Sequence, residues 1–345
     1  MKATMLHSEN SAVGFYRVWQ PAKYLKRIGW DVATVDDEMH TVKVDGENGM
    51  EGLIKGSDII VAQRPEHVEN VALFMAMRDV CNAPFVFEID DNIYDVARSS
   101  IAYQHWYPGS PRILTVELLM REANAITVTT EELKRVYSKF NKNIYVIPNM
   151  QDPEWWDIKK KKSKQFTIGW AGSATHYDDL KMIWRPIKKF LRNHKDARFK
   201  VVGSNCDFLS GHPQVDIVTK FAGIRDYPQY LADLAFDVGV IPVVNRDFNL
   251  GKSNIKWQEY SMAGIPSIAS NIGEYKEIEH EVTGLLAGDS DSWLLNLERL
   301  YDDKQLRDDL SNTAKQYILK NLNIKERIGE YDRIYRNIIK QYKSS

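Results

Sequence analysis

The residues with the most evident chemistry lie in Lys252-Ser-Asn-Ile-Lys-Trp-Gln-Glu-Tyr-Ser-Met-Ala-Gly264. On a helix, Lys252, Lys256 and Glu259 follow one another by four and three positions and share a face. Ser253 reads as the N-cap, and Gly264 as the stop. Free first-turn amides, the helix dipole and the charge of Lys252 together favour an anion, phosphate above all. A carboxylate one turn deeper can accept both hydroxyls of a ribose diol. The set suits a nucleoside diphosphate, although a surface helix with i,i+4 charges has the same spacing.

Other candidate groups stand where apolar runs end. Asp90 and Asp91 follow Phe85 to Ile89; they fit a metal site, a cap or turn, or a base that orients a hydroxyl. Gln63-Arg64, Thr129-Thr130 and Pro148-Asn149 follow three more runs. The polar loop His7 to Arg17 follows the first. In it, Gly14 serves a turn or a close ligand approach, and Arg17 an anionic group or a surface ion pair. Further on, Phe166-Thr-Ile-Gly-Trp170 leads into Gly172-Ser-Ala-Thr-His176, a glycine-bearing turn whose backbone can approach a pyrophosphate. His176 fits a phosphate donor or a structural loop histidine equally.

The elements that must position these groups alternate as short strands and helices. In the first half they run from Ala3 to Leu6 through Ile144 to Ile147, and a second series begins at Phe166. That rhythm predicts two α/β units with parallel sheets, binding ligands outside the carboxyl ends of their strands. The expected boundaries are 1–155, 165–320 and a final helix over 321–345, with a linker near the basic run Lys159 to Lys164. Ile324, Ile328, Tyr331, Tyr335, Ile338 and Tyr342 give the last helix one apolar face, for docking on the protein or on a membrane surface. Lysine and arginine dominate 157–200, as a solvated face or as a surface for an anionic acceptor such as DNA.

The segment Lys252 to Ser270, followed by Thr283-Gly-Leu-Leu286, resembles the donor region of GT-B glycosyltransferases of family 4, in the phage and bacterial type with a Lys-Ser-x-x-Lys-x-x-Glu-Tyr motif. Gly14-Phe-Tyr-Arg17, Gln63-Arg64, Glu88-Ile-Asp-Asp91 and Ile147-Pro-Asn149 look like further positions shared with phage-type relatives. The resemblance implies two Rossmann-like domains facing across a cleft, with the C-terminal helix crossing back to the first. It implies donor binding by Gly172, Ser173, His176, Lys252, Ser253, Lys256 and Glu259, and acceptor binding by Gly14, Tyr16, Arg17 and Arg64. The catalytic set would be Asp90, Asp91 and Lys252.

The segment Lys220 to Gly223 would lie by the base, with uridine the commonest choice in relatives. The implied reaction is retaining hexosyl transfer from a UDP-sugar, needing neither metal nor cofactor, onto a glycan, a lipid-linked sugar or modified DNA. Typical members carry a glutamate eight residues before the match to Glu259. Gly251 stands there in this chain, and Lys252 or Asp247 is available instead. A sugar-nucleotide 2-epimerase and a non-catalytic sugar-nucleotide sensor are alternatives.

At 345 residues the chain is long enough for two full cores, and a net charge of −1 gives no global attraction to nucleic acid or anionic membrane. Two distant cysteines, Cys81 and Cys206, match no disulfide framework or metal set. No apolar run is long enough for a membrane span, and no signal-peptide core follows Met1. A cytoplasmic protein, phage-encoded or bacterial, is expected.

Overall fold

Phe85-Val-Phe-Glu-Ile89 and Ile59-Ile-Val-Ala-Gln63 are almost continuously apolar, the pattern of strands covered on both faces. In the computed structural model every residue of both strands is buried. The structure describes all residues except 8–11, 35, 38–39, 42–51, 53, 160, 162, 205 and 345. Parts of the expected His7 to Arg17 loop and of the lysine run therefore lie outside the described residues. The chain divides into two units. One holds Met1–Tyr94, His105–Met150 and Ile324–Ser345; the other holds Asp95–Gln104 and Gln151–Asn323.

The first unit contains a six-stranded sheet of β1 (Lys2–His7), β2 (Asp31–Thr34), β3 (Ile59–Gln63), β4 (Phe85–Ile89), β5 (Ala125–Val128) and β6 (Ile144–Val146), ordered β2-β1-β3-β4-β5-β6. Every neighbouring pair is parallel. Helices α1 (Gln20–Arg27), α2 (Glu69–Val80), α3 (Pro111–Glu122) and α4 (Glu131–Tyr137) supply crossovers. The order reverses between β1 and β3, which makes the carboxyl ends of those two strands the switch point.

The second unit repeats the plan with β7 (Thr167–Ala171), β8 (Arg198–Val202), β9 (Val215–Val218), β10 (Val238–Ile241), β11 (Ser267–Ser270) and β12 (Leu285–Ala287), ordered β9-β8-β7-β10-β11-β12 and parallel throughout. Its switch point lies between β7 and β10. The helices that matter below are α5 (Tyr177–Asn193), α6 (Tyr227–Asp233), the short α7 (Asp247–Leu250) and α8 (Ile255–Met262); α9 (Ser290–Asp302) and α10 (Lys304–Asn321) follow the last strand.

Two boundaries differ from the sequence expectation. The stretch Asp95–Gln104 belongs to the second unit, which otherwise begins at Gln151, ahead of the lysine run. The last helix, α11 (Ile324–Lys343), packs within the first unit. Its residues Ile328, Tyr331, Tyr335 and Ile338 share one apolar cluster with Ala3, Met5, Val18 and Leu25. That face is used in the core, which accounts for its periodicity without a membrane.

Arg17 is buried in a π-helical turn, Phe15–Trp19, that leads into α1. Its Nε and Nη2 donate to the two oxygens of Glu88 at 2.8 and 3.0 Å, and Nη1 donates to the carbonyl of Ile147 at 2.8 Å and to Asn149 Oδ1 at 3.1 Å. Thr127 also donates to Glu88 at 2.6 Å. The pair thus bolts the first helix to β4, β5 and the end of β6. Arg17→Ala should lower unfolding free energy by about 3–5 kcal/mol in urea denaturation, because Glu88 is left buried and uncompensated. Arg17→Met with Glu88→Leu should recover most of that loss.

Candidate functional sites

In the second unit, β7 ends at Ala171 and the chain turns through Gly172 and a 3-10 turn, Ala174–His176, into α5. A Cβ on Gly172 would lie 2.6 Å from Lys256 Nζ and 2.7 Å from the Trp170 ring, so glycine is required by close approach. The Gly172 amide donates to the Val202 carbonyl at 3.0 Å. It is therefore the following residues, exposed Ser173 and Ala174, that present the turn outward. Gly203, at φ +83°, brings its own backbone against the Gly172 carbonyl; a Cβ there would meet that oxygen at 2.3 Å.

Helix α8 begins at Ile255, with Asn254 rather than Ser253 at its N-cap. The Asn254 side chain donates to Glu277 at 2.6 Å and accepts from Gln258 at 2.7 Å, and it makes no capping bond to the helix backbone. The side-chain oxygen that could cap the helix is taken by Gln258 instead. Lys252 therefore precedes the helix and enters from a loop, its ammonium 5.1 Å from the Phe248 ring centroid. Only Lys256 and Glu259 share the helical face.

Lys256 Nζ donates to the Ala171 carbonyl at 2.9 Å and lies 5.3 Å from the Trp170 ring centroid. Burial pushes its pKa down to about 8, against the opposing pull of Glu259. Buried Glu259 accepts from the Tyr227 hydroxyl at 3.0 Å. Phe221 stacks on Tyr227 at 5.6 Å with an interplanar angle of 11°, while 41% of its surface stays exposed.

His176 Nδ1 lies 2.7 Å from Asp179 Oδ2, so Nδ1–H donates to the carboxylate and the neutral ring presents Nε2 as an acceptor. Burial pushes the His176 pKa down to about 3, with the nearby charges of Lys252 and Lys256 adding to the effect. The other oxygen of Asp179 accepts from the Val244 amide at 2.8 Å and from Asn249 Nδ2 at 3.4 Å. One carboxylate thus ties the β7 turn, the loop after β10 and α7 together at the switch point.

In the first unit, Asp90 and Asp91 follow β4 with their backbone braced on both sides. Thr129 donates to the Asp90 carbonyl at 3.2 Å and the Tyr137 hydroxyl to the Asp91 carbonyl at 2.6 Å. No helix starts at either residue, so capping is not their role. Asp90 Oδ1 is buried without a hydrogen-bond partner among the described residues. Burial, then Asp91 beside it, pushes the Asp90 pKa up to about 7.

Arg64 adopts a left-handed backbone at φ 39°, rare for a side-chain-bearing residue. Its guanidinium sits 2.9 Å from Glu66, 3.7 Å from Asp91 and 5.6 Å from the Trp106 ring centroid. Glu66 is buried and also paired with Arg112. Arg17 and Tyr16 are buried in the core, and the donors of Arg17 are directed at Glu88, Ile147 and Asn149. Gly14 has ordinary helical angles, φ −56° and ψ −39°, so it makes no turn. Among the described residues, no group of three or more His, Cys, Asp or Glu is placed to hold a metal ion.

Residues 165–303 match the family model described as "Glycosyl transferases group 1". No curated protein sequence matches the chain. Among solved structures, a sucrose-phosphate synthase from Thermosynechococcus elongatus is 13% identical with a TM-score of 0.67, over 99% of this chain and 100% of that one. HepE of Anabaena, solved with UDP-glucose, is 14% identical with a TM-score of 0.68, over 96% and 99%. A mutant of S. aureus TarM, solved with Fondaparinux, alpha-GlcNAc-glycerol and UDP, is 16% identical with a TM-score of 0.59, over 87% and 58%. The two parallel six-stranded α/β sheets thus have the GT-B fold, and the segment that matches the group 1 glycosyltransferase model lies in the second unit.

Asp179, Tyr227 and Glu66 carry much of this geometry and were not singled out by sequence. The His-x-x-Asp spacing of His176 and Asp179 was a usable signal. Tyr227 reaches Glu259 from 32 residues away, with no local trace.

Because the folded chain refuses a proton that unfolded His176 accepts near its ordinary pKa of 6.5, stability should fall as pH drops from 6.5 toward 3. Urea midpoints measured at pH 7, 5.5 and 4.5 should trace this slope, and His176→Gln should flatten it. An unchanged slope in the variant would assign the acid sensitivity elsewhere.

Proposed function

We propose that the chain transfers a hexosyl group from a nucleoside diphosphate sugar, most simply UDP-glucose, to an acceptor hydroxyl. The observation that carries this reading is the convergence of Lys252, Lys256, Glu259 and His176 on the Gly172 turn at the switch point of the second unit. HepE, with the same fold, was solved with UDP-glucose, and this supports the choice of donor.

In this reading the diphosphate lies against the exposed turn after Gly172 and the α8 N-terminus, which lacks a side-chain cap. Lys252 and Lys256 meet the negative charge that grows on the departing diphosphate. These cations take the part a metal would otherwise play, so transfer should survive chelation. Glu259, steadied by Tyr227, accepts from the ribose hydroxyls, and the exposed face of Phe221 stacks on the base. His176 Nε2, an acceptor, suits a sugar hydroxyl better than a phosphate oxygen.

The acceptor, a glycan or lipid-linked sugar, is assigned to the first unit. There Asp90, with a buried oxygen lacking a partner among the described residues and a pKa near 7, takes a hydrogen bond from the attacking hydroxyl. Arg64 and Asp91 flank it. The resemblance to family 4 favours retention, with a donor phosphate oxygen accepting the proton. An inverted product anomer by NMR would instead make Asp90 the base.

Glu259→Ala should weaken UDP binding at least tenfold by calorimetry. Asp90→Asn should leave UDP binding within about twofold and lower transfer at least a hundredfold, within the usual range for a lost acid–base group. In the parent protein, kcat should rise with pH through about 7 as Asp90 ionises, and UDP affinity should fall above about 8 as Lys256 loses its proton. Normal UDP binding and turnover in both variants would refute the role assignments.

A further inference from the structure

Helix α5 of the second unit buries Leu180, Ile183, Ile187, Phe190 and Leu191. Its outer side exposes Lys181, Arg185, Lys188, Lys189 and Arg192. At about 100° per residue these five cations fall within a sector of roughly 100° opposite the buried side, in a stripe roughly 17 Å long. Lys195 follows just past the helix end. Burial, and then the charges of Lys188 and Lys195, hold the His212 pKa below its ordinary value, so both lysines stand near one ring and Lys195 continues the stripe.

A net charge of −1 means that the stripe does not follow from a basic chain. The only acids of α5, Asp178 and Asp179, stand in its first turn. Asp178 is engaged by Ser99 at 2.7 Å and Arg246 at 3.6 Å, and Asp179 by His176. Off the helix, Asp207 reaches Tyr177 and Glu298 reaches His194, at its two ends. Among the described residues none of the six cations forms an ion pair. Lys181/Arg185, Arg185/Lys189 and Lys188/Arg192 are like charges four residues apart, a spacing at which repulsion destabilises a helix. A layer of anions reverses that cost.

The shape of the stripe and its neighbours choose among anions. Single-stranded nucleic acid is held in a groove with free aromatic platforms. Here the cations stand on a convex helix, and the adjoining rings are packed on one another: Trp184 on His212 at 5.3 Å and 86°, Tyr177 on Phe208 at 5.2 Å and 86°. Met182, at the edge of the stripe, is 41% exposed and offers a lipid interface an apolar contact. We propose that the outer face of α5 docks on an anionic phospholipid surface, its lysines and arginines meeting the headgroups. Among the described residues no helix is long and apolar enough to cross a membrane, so the contact is peripheral. Docking would hold the second unit at the layer where a lipid-linked sugar resides, and it does not depend on which reaction the chain performs.

The test is co-sedimentation of the full chain with vesicles of phosphatidylcholine, alone or with one-third phosphatidylglycerol. Partition onto the anionic vesicles should be at least tenfold stronger in about 0.1 M salt and should lose that advantage in about 0.5 M salt. One cation near such a surface is worth about fivefold in partition, so Arg185→Gln should weaken binding to that extent. Arg185→Gln, Lys188→Gln, Lys189→Gln and Arg192→Gln together should weaken it at least a hundredfold. Glutamine is as good a helix former as lysine or arginine, and like-charge repulsion is removed. The four-site variant should therefore melt at the same or a higher temperature in lipid-free buffer.

Equal partition onto the two vesicles, or anionic binding that survives in the four-site variant, would overturn the inference. So would a lowered melting temperature and lost binding in that variant with Arg185→Gln unchanged, since the loss would then belong to the fold. Stripe-dependent binding to an oligonucleotide duplex or single strand, tighter than to the anionic vesicles, would overturn the lipid assignment in favour of nucleic acid. UDP binding and transfer to a soluble acceptor, measured on the same four-site variant, report the glycosyltransferase reading separately.

Discussion

Asp179 is a carboxylate with almost no contact with water, and the second unit's candidate site is arranged around satisfying it. Three donors from three separate stretches of chain, His176, Val244 and Asn249, converge on its two oxygens. A buried carboxylate is tolerated only when its lone pairs are taken up, so the demand for donors fixes where the β7 turn, the loop after β10 and α7 meet. The same bond selects the His176 tautomer and so decides that the ring offers an acceptor. Lys256 adds a second close constraint, because its ammonium occupies the space a side chain at Gly172 would need.

The first unit solves the corresponding problem with an ion pair. Arg17 and Glu88 are both inaccessible, and the guanidinium fork is filled by Glu88, a main-chain carbonyl and an asparagine. Two residues beyond Glu88, Asp90 keeps an oxygen without a partner among the described residues, and Arg64 holds an uncommon backbone conformation one strand away. Satisfied polar groups thus surround an unsatisfied one. Such local departures from good hydrogen bonding collect at places where a ligand is expected to complete the set.

The strands and the long helices were largely legible in the sequence. Phe85 to Ile89 stands with the expected ends, since apolar runs bounded by turn residues leave little choice. Small errors came where local preference met tertiary competition. Ser253 has good capping chemistry, yet Asn254 takes the N-cap position while its amide is drawn to Glu277. Gly14 suggested a turn and lies in a helix, because the buried Arg17 needs a continuous helical approach to Glu88.

By itself the sequence determined the α/β class, the two strand series and the residue types at the strand ends, because each of these follows from short-range periodicity and turn chemistry. It also placed lysine, glutamate and histidine in the segments that prove to adjoin one another in the second unit. Only the tertiary structure decided which of these side chains are engaged and which present an atom outward. It made Arg17 a core residue, joined Tyr227 to Glu259 and assigned Asp95–Gln104 to the second unit. The physical reason is that hydrogen-bond satisfaction and close packing are settled between residues distant in sequence, where no local pattern records the partner.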